Sequence, residues 1–137
     1  MSNGQGPSDS MPLVLLVEDD RDTRLGYHDF LRDSGFRIAE AHNGYQALEK
    51  AQTLAPEVIV TDLAIPGLDG AELTAKLKSD ERTRDIPVIA VTGHALESYV
   101  ARAQRAGADR VLVKPCAPET LLSEIHHALD RRSQAHR

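Results

Sequence analysis

Short runs of apolar residues, each ending in polar ones, recur along the chain. Continuous runs of Val, Ile and Leu bounded by Pro and Gly are typical of strands buried on both faces of a parallel sheet. A run that alternates apolar and polar residues indicates an edge strand instead. The pattern predicts four buried strands at residues 13–17, 57–62, 86–92 and 111–113, and an edge strand at residues 36–40.

Apolar residues at helical spacing fill the segments between these strands. They predict helices at about residues 21–34, 69–79 and 95–106, a helix capped by Asn43 that carries Leu54, and a last helix from Pro118 to about residue 131. Gly35 and Gly107 follow two of these helices, at the position where glycine commonly ends a helix. Five strands that alternate with five helices predict an α/β fold with a doubly wound parallel sheet and right-handed crossovers.

Composition narrows the class of protein. The chain has 137 residues, is 41% hydrophobic and carries a net charge of −5, so one self-sufficient domain is expected and no broad basic surface is left for nucleic acid. Residues 1–11 have no hydrophobic period and predict a disordered tail, and residues 133–137 a polar end. The single cysteine, Cys116, excludes an intramolecular disulfide, and no segment resembles a signal peptide or membrane span. We therefore expect a cytoplasmic protein with no membrane contact.

The predicted strands deliver a set of polar side chains to one edge of the sheet. Glu18 and Asp19 follow the first strand, Asp62 and Thr92 end the third and fourth, and Lys114 follows the fifth. Each alone is an ordinary turn or surface residue, but ligands bind beyond the carboxyl ends of such strands. Crowded carboxylates have raised pKa values unless a cation, here Lys114, offsets the repulsion. An all-oxygen set of this kind suits Mg²⁺ or a similar hard ion.

The chain resembles the receiver domains of two-component response regulators from residue 13 to about residue 131. The elements that carry the resemblance are the acidic pair Glu18 and Asp19, Asp62 with Pro66 and Asp69-Gly70 downstream, Thr92 with Gly93, and Lys114-Pro115. The resemblance implies a receiver domain at residues 12–132 with a flavodoxin-like five-stranded sheet in the order 2-1-3-4-5.

The resemblance also implies a chemistry. Asp62 would take a phosphoryl group from a phosphohistidine on a histidine kinase or a histidine phosphotransfer protein. Thr92 and Lys114 would contact the phosphoryl oxygens, and Lys114-Pro115 would be a cis peptide. The ligands of Mg²⁺ (or Mn²⁺) would be Glu18, Asp19, Asp62 and the backbone carbonyl of Ala64. Such a protein is not a conventional enzyme, although it is expected to catalyse its own phosphorylation and dephosphorylation at Asp62.

Some residues depart from the family pattern or carry other chemistry. Val111 stands where many members have an aromatic switch residue, so this chain lacks the ring of the usual threonine–aromatic switch. Ala64 and His94 occupy positions that tune phosphoryl lifetime in the family, and His94 is expected to be a loop residue. The other histidines show no metal-ligand spacing and are interpreted as surface residues. Cys116 is interpreted as a semi-buried filler, with a thiol of lowered pKa near Lys114 as the alternative.

Three functions compete at this point. The first is a stand-alone phosphorylation switch, monomeric or weakly dimeric, that signals through an unidentified output protein. The second is a pseudo-receiver that acts as a constitutive interaction module. The third is a Mg²⁺-dependent phosphohydrolase with an aspartyl nucleophile, which would need a substrate pocket that this chain has no insertion to build. The set of site residues favours the first, and Val111 leaves the second open.

Overall fold

A computed structural model describes residues 11–93 and 97–135. The five parallel strands are β1 Leu13–Val17, β2 Arg37–Ala41, β3 Val58–Asp62, β4 Val88–Thr92 and β5 Arg110–Val113. The five helices are α1 Arg21–Asp33, α2 Gly44–Leu54, α3 Gly70–Ser79, α4 Glu97–Arg105 and α5 Pro118–Ala135. The order of the sheet is β2-β1-β3-β4-β5. The predicted flavodoxin-like doubly wound fold is therefore confirmed.

The two faces of the sheet hold separate halves of the core. Alternate residues of β1 point to opposite faces, because side chains alternate along a strand. Leu16 packs with Leu31 of α1 and Ile125 of α5, whereas Leu15 packs with Leu73 of α3. The sheet is thus buried on both sides, as the continuous apolar runs predict. No helix among the described residues is long and apolar enough to cross a membrane.

The helix boundaries follow local capping. Asn43 begins α2 by accepting a hydrogen bond from the Gln46 N–H at 2.8 Å, as predicted. Asp69 caps α3 in a capping box with Glu72, so this helix begins one residue later than the pattern indicates. Gly35 and Gly107 follow their helices with φ of 101° and 108°, in a region that side chains rarely adopt.

Several boundaries that the sequence pattern predicts differ in the structure. Phe36 is buried in the core but precedes β2, which starts at Arg37. Leu54 ends α2, as the pattern indicates, and is 46% exposed, and the next residue, Ala55, has a φ of 48°. The last helix continues through Ala135 because no glycine or proline interrupts its polar end. The predicted tail lies outside the described residues except for Met11, whose carbonyl accepts a hydrogen bond from Arg37.

Candidate functional site

The parallel register brings the predicted site residues to one edge. Asp62 pairs with Val91 of β4, so Thr92 lies one residue further along the neighbouring strand. Lys114 is fixed next to it, because its N–H donates to the Thr92 carbonyl at 2.7 Å. The peptide bond between Lys114 and Pro115 is cis, as expected.

Three carboxylates form a cluster at this edge. Glu18, Asp19 and Asp62 each offer one carboxylate oxygen, and these three atoms lie within 4.8 Å of one another. Glu18 and Asp62 are buried, with 3% and 8% of their surface exposed, whereas Asp19 is exposed. Within the described residues this is the one group of acidic, histidine or cysteine side chains close enough to share a metal ion. The donors are all oxygen atoms and one side of the cluster faces solvent, which fits a hard divalent cation that keeps some of its waters.

Lys114 bridges two of these carboxylates. Its Nζ lies 2.7 Å from Asp62 Oδ2 and 3.1 Å from Glu18 Oε1. Burial alone would lower the pKa of Lys114, but the hydrogen bonds to Asp62 and Glu18 outweigh it and the pKa is raised. Lys114 therefore stays an ammonium ion that neutralises part of the acidic cluster.

Glu18 shows how incomplete this neutralisation is. Burial raises the pKa of its carboxyl group, and repulsion from Asp62 raises it further. A hydrogen bond from the Asp20 N–H and the contact with Lys114 oppose the rise without cancelling it. The pKa of Glu18 is therefore raised, as expected, although burial contributes more to the rise than crowding by Asp62 does. A second cation would relieve this repulsion.

The loop after Asp62 has little freedom. The Ala64 N–H donates to Asp62 Oδ1 at 3.0 Å, which orients the carboxylate. The loop then returns so closely that a Cβ at Gly70 would lie 2.5 Å from the Asp62 carbonyl oxygen and 2.6 Å from Leu63 Cα. The Asp69-Gly70 pair therefore has a steric basis, because Asp69 caps α3 and only glycine fits at the next position.

Asp20 has a structural role, although it directly follows the acidic pair. Its carboxylate caps α1 by accepting hydrogen bonds from the Thr23 N–H at 2.9 Å and the Thr23 hydroxyl at 2.6 Å. These bonds lower the pKa of Asp20. The available sequence signal was an aspartate immediately before an apolar periodic segment, which is typical of a helix cap.

Arg24 is a residue near the site that the sequence pattern did not single out. Its guanidinium group lies against the backbone of Glu18 and Asp19. The available sequence signal was that Arg24 lies one helical turn before Tyr27 and His28, which places it on the same side of α1 as the buried Tyr27.

Cys116 and the histidines among the described residues lie outside the acidic cluster. Cys116 packs half-buried against the core, as expected, but burial raises the pKa of its thiol, so the alternative of a lowered pKa was wrong. His28 is also a correction, because it is half-buried with Nδ1 2.6 Å from Glu40 Oε2. His42, His126 and His127 are exposed, as predicted. His94 and His136 lie outside the described residues.

Comparisons with known proteins agree with this geometry. The family model for the response regulator receiver domain matches residues 14–126. The polar-differentiation response regulator DivK of Brucella anthropi is 32% identical over 112 residues, which cover 82% of this chain and 91% of DivK. A CheY-like receiver domain protein from Methanospirillum hungatei JF-1 has a TM-score of 0.86 at 26% identity, over 92% of this chain and 99% of that chain.

A further solved structure is the receiver domain of a sensor histidine kinase from Pseudomonas aeruginosa PAO1, which has a magnesium ion coordinated in its active site cleft. It has a TM-score of 0.83 and 28% identity, over 88% of this chain and 99% of that chain. The family model covers most of this chain, and the fold and strand order agree. The chain therefore belongs to the response regulator receiver domains of two-component signalling systems.

Proposed function

We propose that the protein is a phosphorylation switch in which Asp62 accepts a phosphoryl group from a phosphohistidine on a histidine kinase or a histidine phosphotransfer protein. The observation that carries this proposal is the position of Asp62, which ends a buried strand beside Glu18 and in direct contact with Lys114. In the transfer, an Asp62 carboxylate oxygen forms the new bond to phosphorus, the bond from phosphorus to the donor nitrogen breaks, and the nitrogen keeps the electron pair.

The acidic cluster fits the divalent ion that this chemistry uses. Glu18, Asp19 and Asp62 would hold Mg²⁺ or Mn²⁺ together with the Ala64 backbone carbonyl, and the coordinated magnesium in the Pseudomonas aeruginosa receiver domain supports this assignment. When bound, the ion neutralises charge on the transferring phosphoryl group. Burial and the neighbouring Asp62 raise the pKa of Glu18, so a divalent ion at this place would offset the cost of ionising its carboxyl group.

Lys114 and Thr92 complete the proposed site. Lys114 holds its charge between two carboxylates, and its flexible stem can carry the ammonium group to a phosphoryl oxygen once Asp62 is modified. The Thr92 hydroxyl would donate to another phosphoryl oxygen. With these groups the protein would catalyse its own phosphorylation and dephosphorylation, and the kinase or phosphotransfer protein would supply the phosphorylated histidine.

The output would run through α4. Thr92 and Ala64 line a cavity of about 270 Å³, and Tyr99 and Arg102 of α4 also line it. Arg102 also pairs with Asp69 at 3.0 Å, which links α4 to the loop that follows Asp62. A shift of Thr92 toward the phosphoryl group would change the shape of this cavity and would thereby affect α4. Tyr99 is 43% exposed, as expected, and would contribute to the surface that the output protein binds.

Incubation with acetyl phosphate tests the proposal. The protein is incubated either with Mg²⁺ or with excess chelator, and its intact mass is then measured. We expect one added phosphoryl group with Mg²⁺, and none in chelator or in Asp62→Asn. A folded wild type that binds Mg²⁺ yet gains no phosphoryl group would identify a pseudo-receiver. Equal labelling of Asp62→Asn would exclude Asp62 as the acceptor.

A further inference from the structure

We infer that Arg24 is a positioning residue that fixes the metal-binding conformation of Glu18 and Asp19. The inference rests on the proposed divalent-ion site. Arg24 belongs to the first turns of α1, and only 11% of its side chain is exposed. Its Nη1 donates to the Glu18 carbonyl at 3.1 Å and lies 3.4 Å from the Asp19 carbonyl. The two acceptors are backbone atoms, so both carboxylates stay available to a cation.

The two carbonyls have a geometric meaning. The carbonyl of Glu18 belongs to the peptide plane before Asp19, and the carbonyl of Asp19 belongs to the plane after it. A peptide group is planar, so fixing the direction of its carbonyl fixes the whole plane. One guanidinium group that holds both planes restricts the φ and ψ of Asp19 and thereby the direction of its side chain. Asp19 is the exposed member of the cluster, so packing restrains it least.

Arg24 is itself anchored on its other side. Its buried Nε has no hydrogen-bond partner among residues 11–93 and 97–135, and lies 3.4 Å from Glu40 Oε1 in an ion pair. The other carboxylate oxygen of Glu40 contacts His28 Nδ1 at 2.6 Å. Glu40 lies on β2, where it pairs in register with Leu16 of β1. The guanidinium group therefore links the sheet to the loop after β1.

An arginine suits this place better than a lysine. The planar guanidinium group presents Nη1 to the carbonyls and Nε to Glu40 at the same time, whereas an ammonium group is a compact point charge. The geometry therefore predicts that a positive charge alone, as in a lysine, is not sufficient to position Glu18 and Asp19. Residues that orient metal ligands typically change metal affinity by about 10- to 100-fold when removed.

Magnesium binding separates positioning from general stability. Titration calorimetry with MgCl₂ alone gives the dissociation constant of the wild type, Arg24→Ala, Arg24→Lys and the control Arg37→Ala. Arg37 also donates to a backbone carbonyl, that of Met11 at 2.9 Å, but at the opposite edge of the sheet. We expect a dissociation constant raised about tenfold or more in Arg24→Ala, a smaller rise in Arg24→Lys, and no change in Arg37→Ala.

The failures of the two proposals are distinguishable. If the wild type binds Mg²⁺ and both Arg24 variants bind it equally well, the positioning role is overturned and the proposed metal site stands. If Arg24→Lys alone binds Mg²⁺ with wild-type affinity, a positive charge is sufficient at this position, and the positioning role is also overturned. A wild type that binds no Mg²⁺ overturns both. If Arg24→Ala does not fold, Arg24→Lys and Glu40→Gln test the positioning role instead. Both variants are expected to bind Mg²⁺ more weakly than the wild type.

Discussion

Replacing Lys114 by methionine tests the electrostatics of the site. Lys114 forms two charge-assisted hydrogen bonds, to Asp62 and to Glu18. Bonds of this kind contribute about 1.5–3 kcal/mol each when buried. The Lys114 side chain is 28% exposed, so solvent screening reduces the sum and we expect a loss of ~2 kcal/mol in metal-free buffer. For a domain of this size, this corresponds to a fall in Tm of about 6–10 °C.

Magnesium should reverse much of this loss. A ligand present at 100 times its dissociation constant stabilises the native state by about 2.7 kcal/mol. Mg²⁺ and Lys114 compete for the same carboxylates, so the variant should bind Mg²⁺ more tightly and gain more stability from it. We expect saturating Mg²⁺ to reduce the difference in unfolding free energy between wild type and variant to about half or less.

Lys78→Met is the matched control. Lys78 Nζ also makes several hydrogen bonds, including one to the Ile86 carbonyl at 2.9 Å and one to Asp109 Oδ2 at 3.1 Å. Its side chain is 22% exposed, and it is not one of the residues of the acidic cluster. Urea unfolding with and without Mg²⁺ should show a loss that is independent of the metal. A Lys114 variant whose loss is equally independent of Mg²⁺ would refute the competition between lysine and metal.

Other substitutions test the loops, the surface and the output. A Cβ at Gly26 meets open space, so Gly26→Ala should stabilise α1 by ~0.5–1 kcal/mol in urea unfolding. Gly70→Ala should instead destabilise the protein by about 1–3 kcal/mol, because the new Cβ would collide with the backbone of Asp62 and Leu63. Hydrogen bonds from Arg82 lower the pKa of Asp80 to about 2. The ionised Asp80 therefore stabilises the fold fully above its unfolded pKa, and this stabilisation should disappear as the pH falls through about 2. Asp80→Asn should remove this part of the acid dependence of the urea midpoint. Beryllofluoride should shift amide NMR signals at the start of α4 more than those of β5, and Tyr99→Ala should weaken capture of the output protein without slowing phosphorylation.

Most of the fold follows from the sequence because four of the strands are mainly apolar runs with a clear end and the edge strand β2 alternates apolar and polar residues. The boundaries that the pattern missed have local causes. Residues 86 and 87 belong to the apolar run but not to β4, because Pro87 has no N–H to donate to the sheet, although its carbonyl accepts from the Ile59 N–H at 2.9 Å. The polar residues at the end of α5 stay helical because helix propensity, which hydrophobic periodicity does not report, favours them.

The candidate site was predictable to a smaller extent. A parallel sheet brings strand ends to one edge, so Asp62, Thr92 and Lys114 could be grouped from sequence alone. The conformation of the loop after β1 could not be predicted, because hydrophobic periodicity places the start of α1 but does not report which backbone carbonyls its side chains reach. Capping by Asp20 and the contacts of Arg24 depend on that conformation. The thiol pKa of Cys116 likewise depends on burial that the sequence does not show.

Locating the phosphoryl group on the chain tests the central claim most directly. After reaction with acetyl phosphate and Mg²⁺, borohydride reduction converts an aspartyl phosphate to homoserine, and peptide mass spectrometry finds its position. We predict homoserine at position 62 alone, and none when chelator replaces Mg²⁺. Homoserine at Asp19 or Asp20 with residue 62 intact, or modification that persists without a divalent ion, would contradict the account.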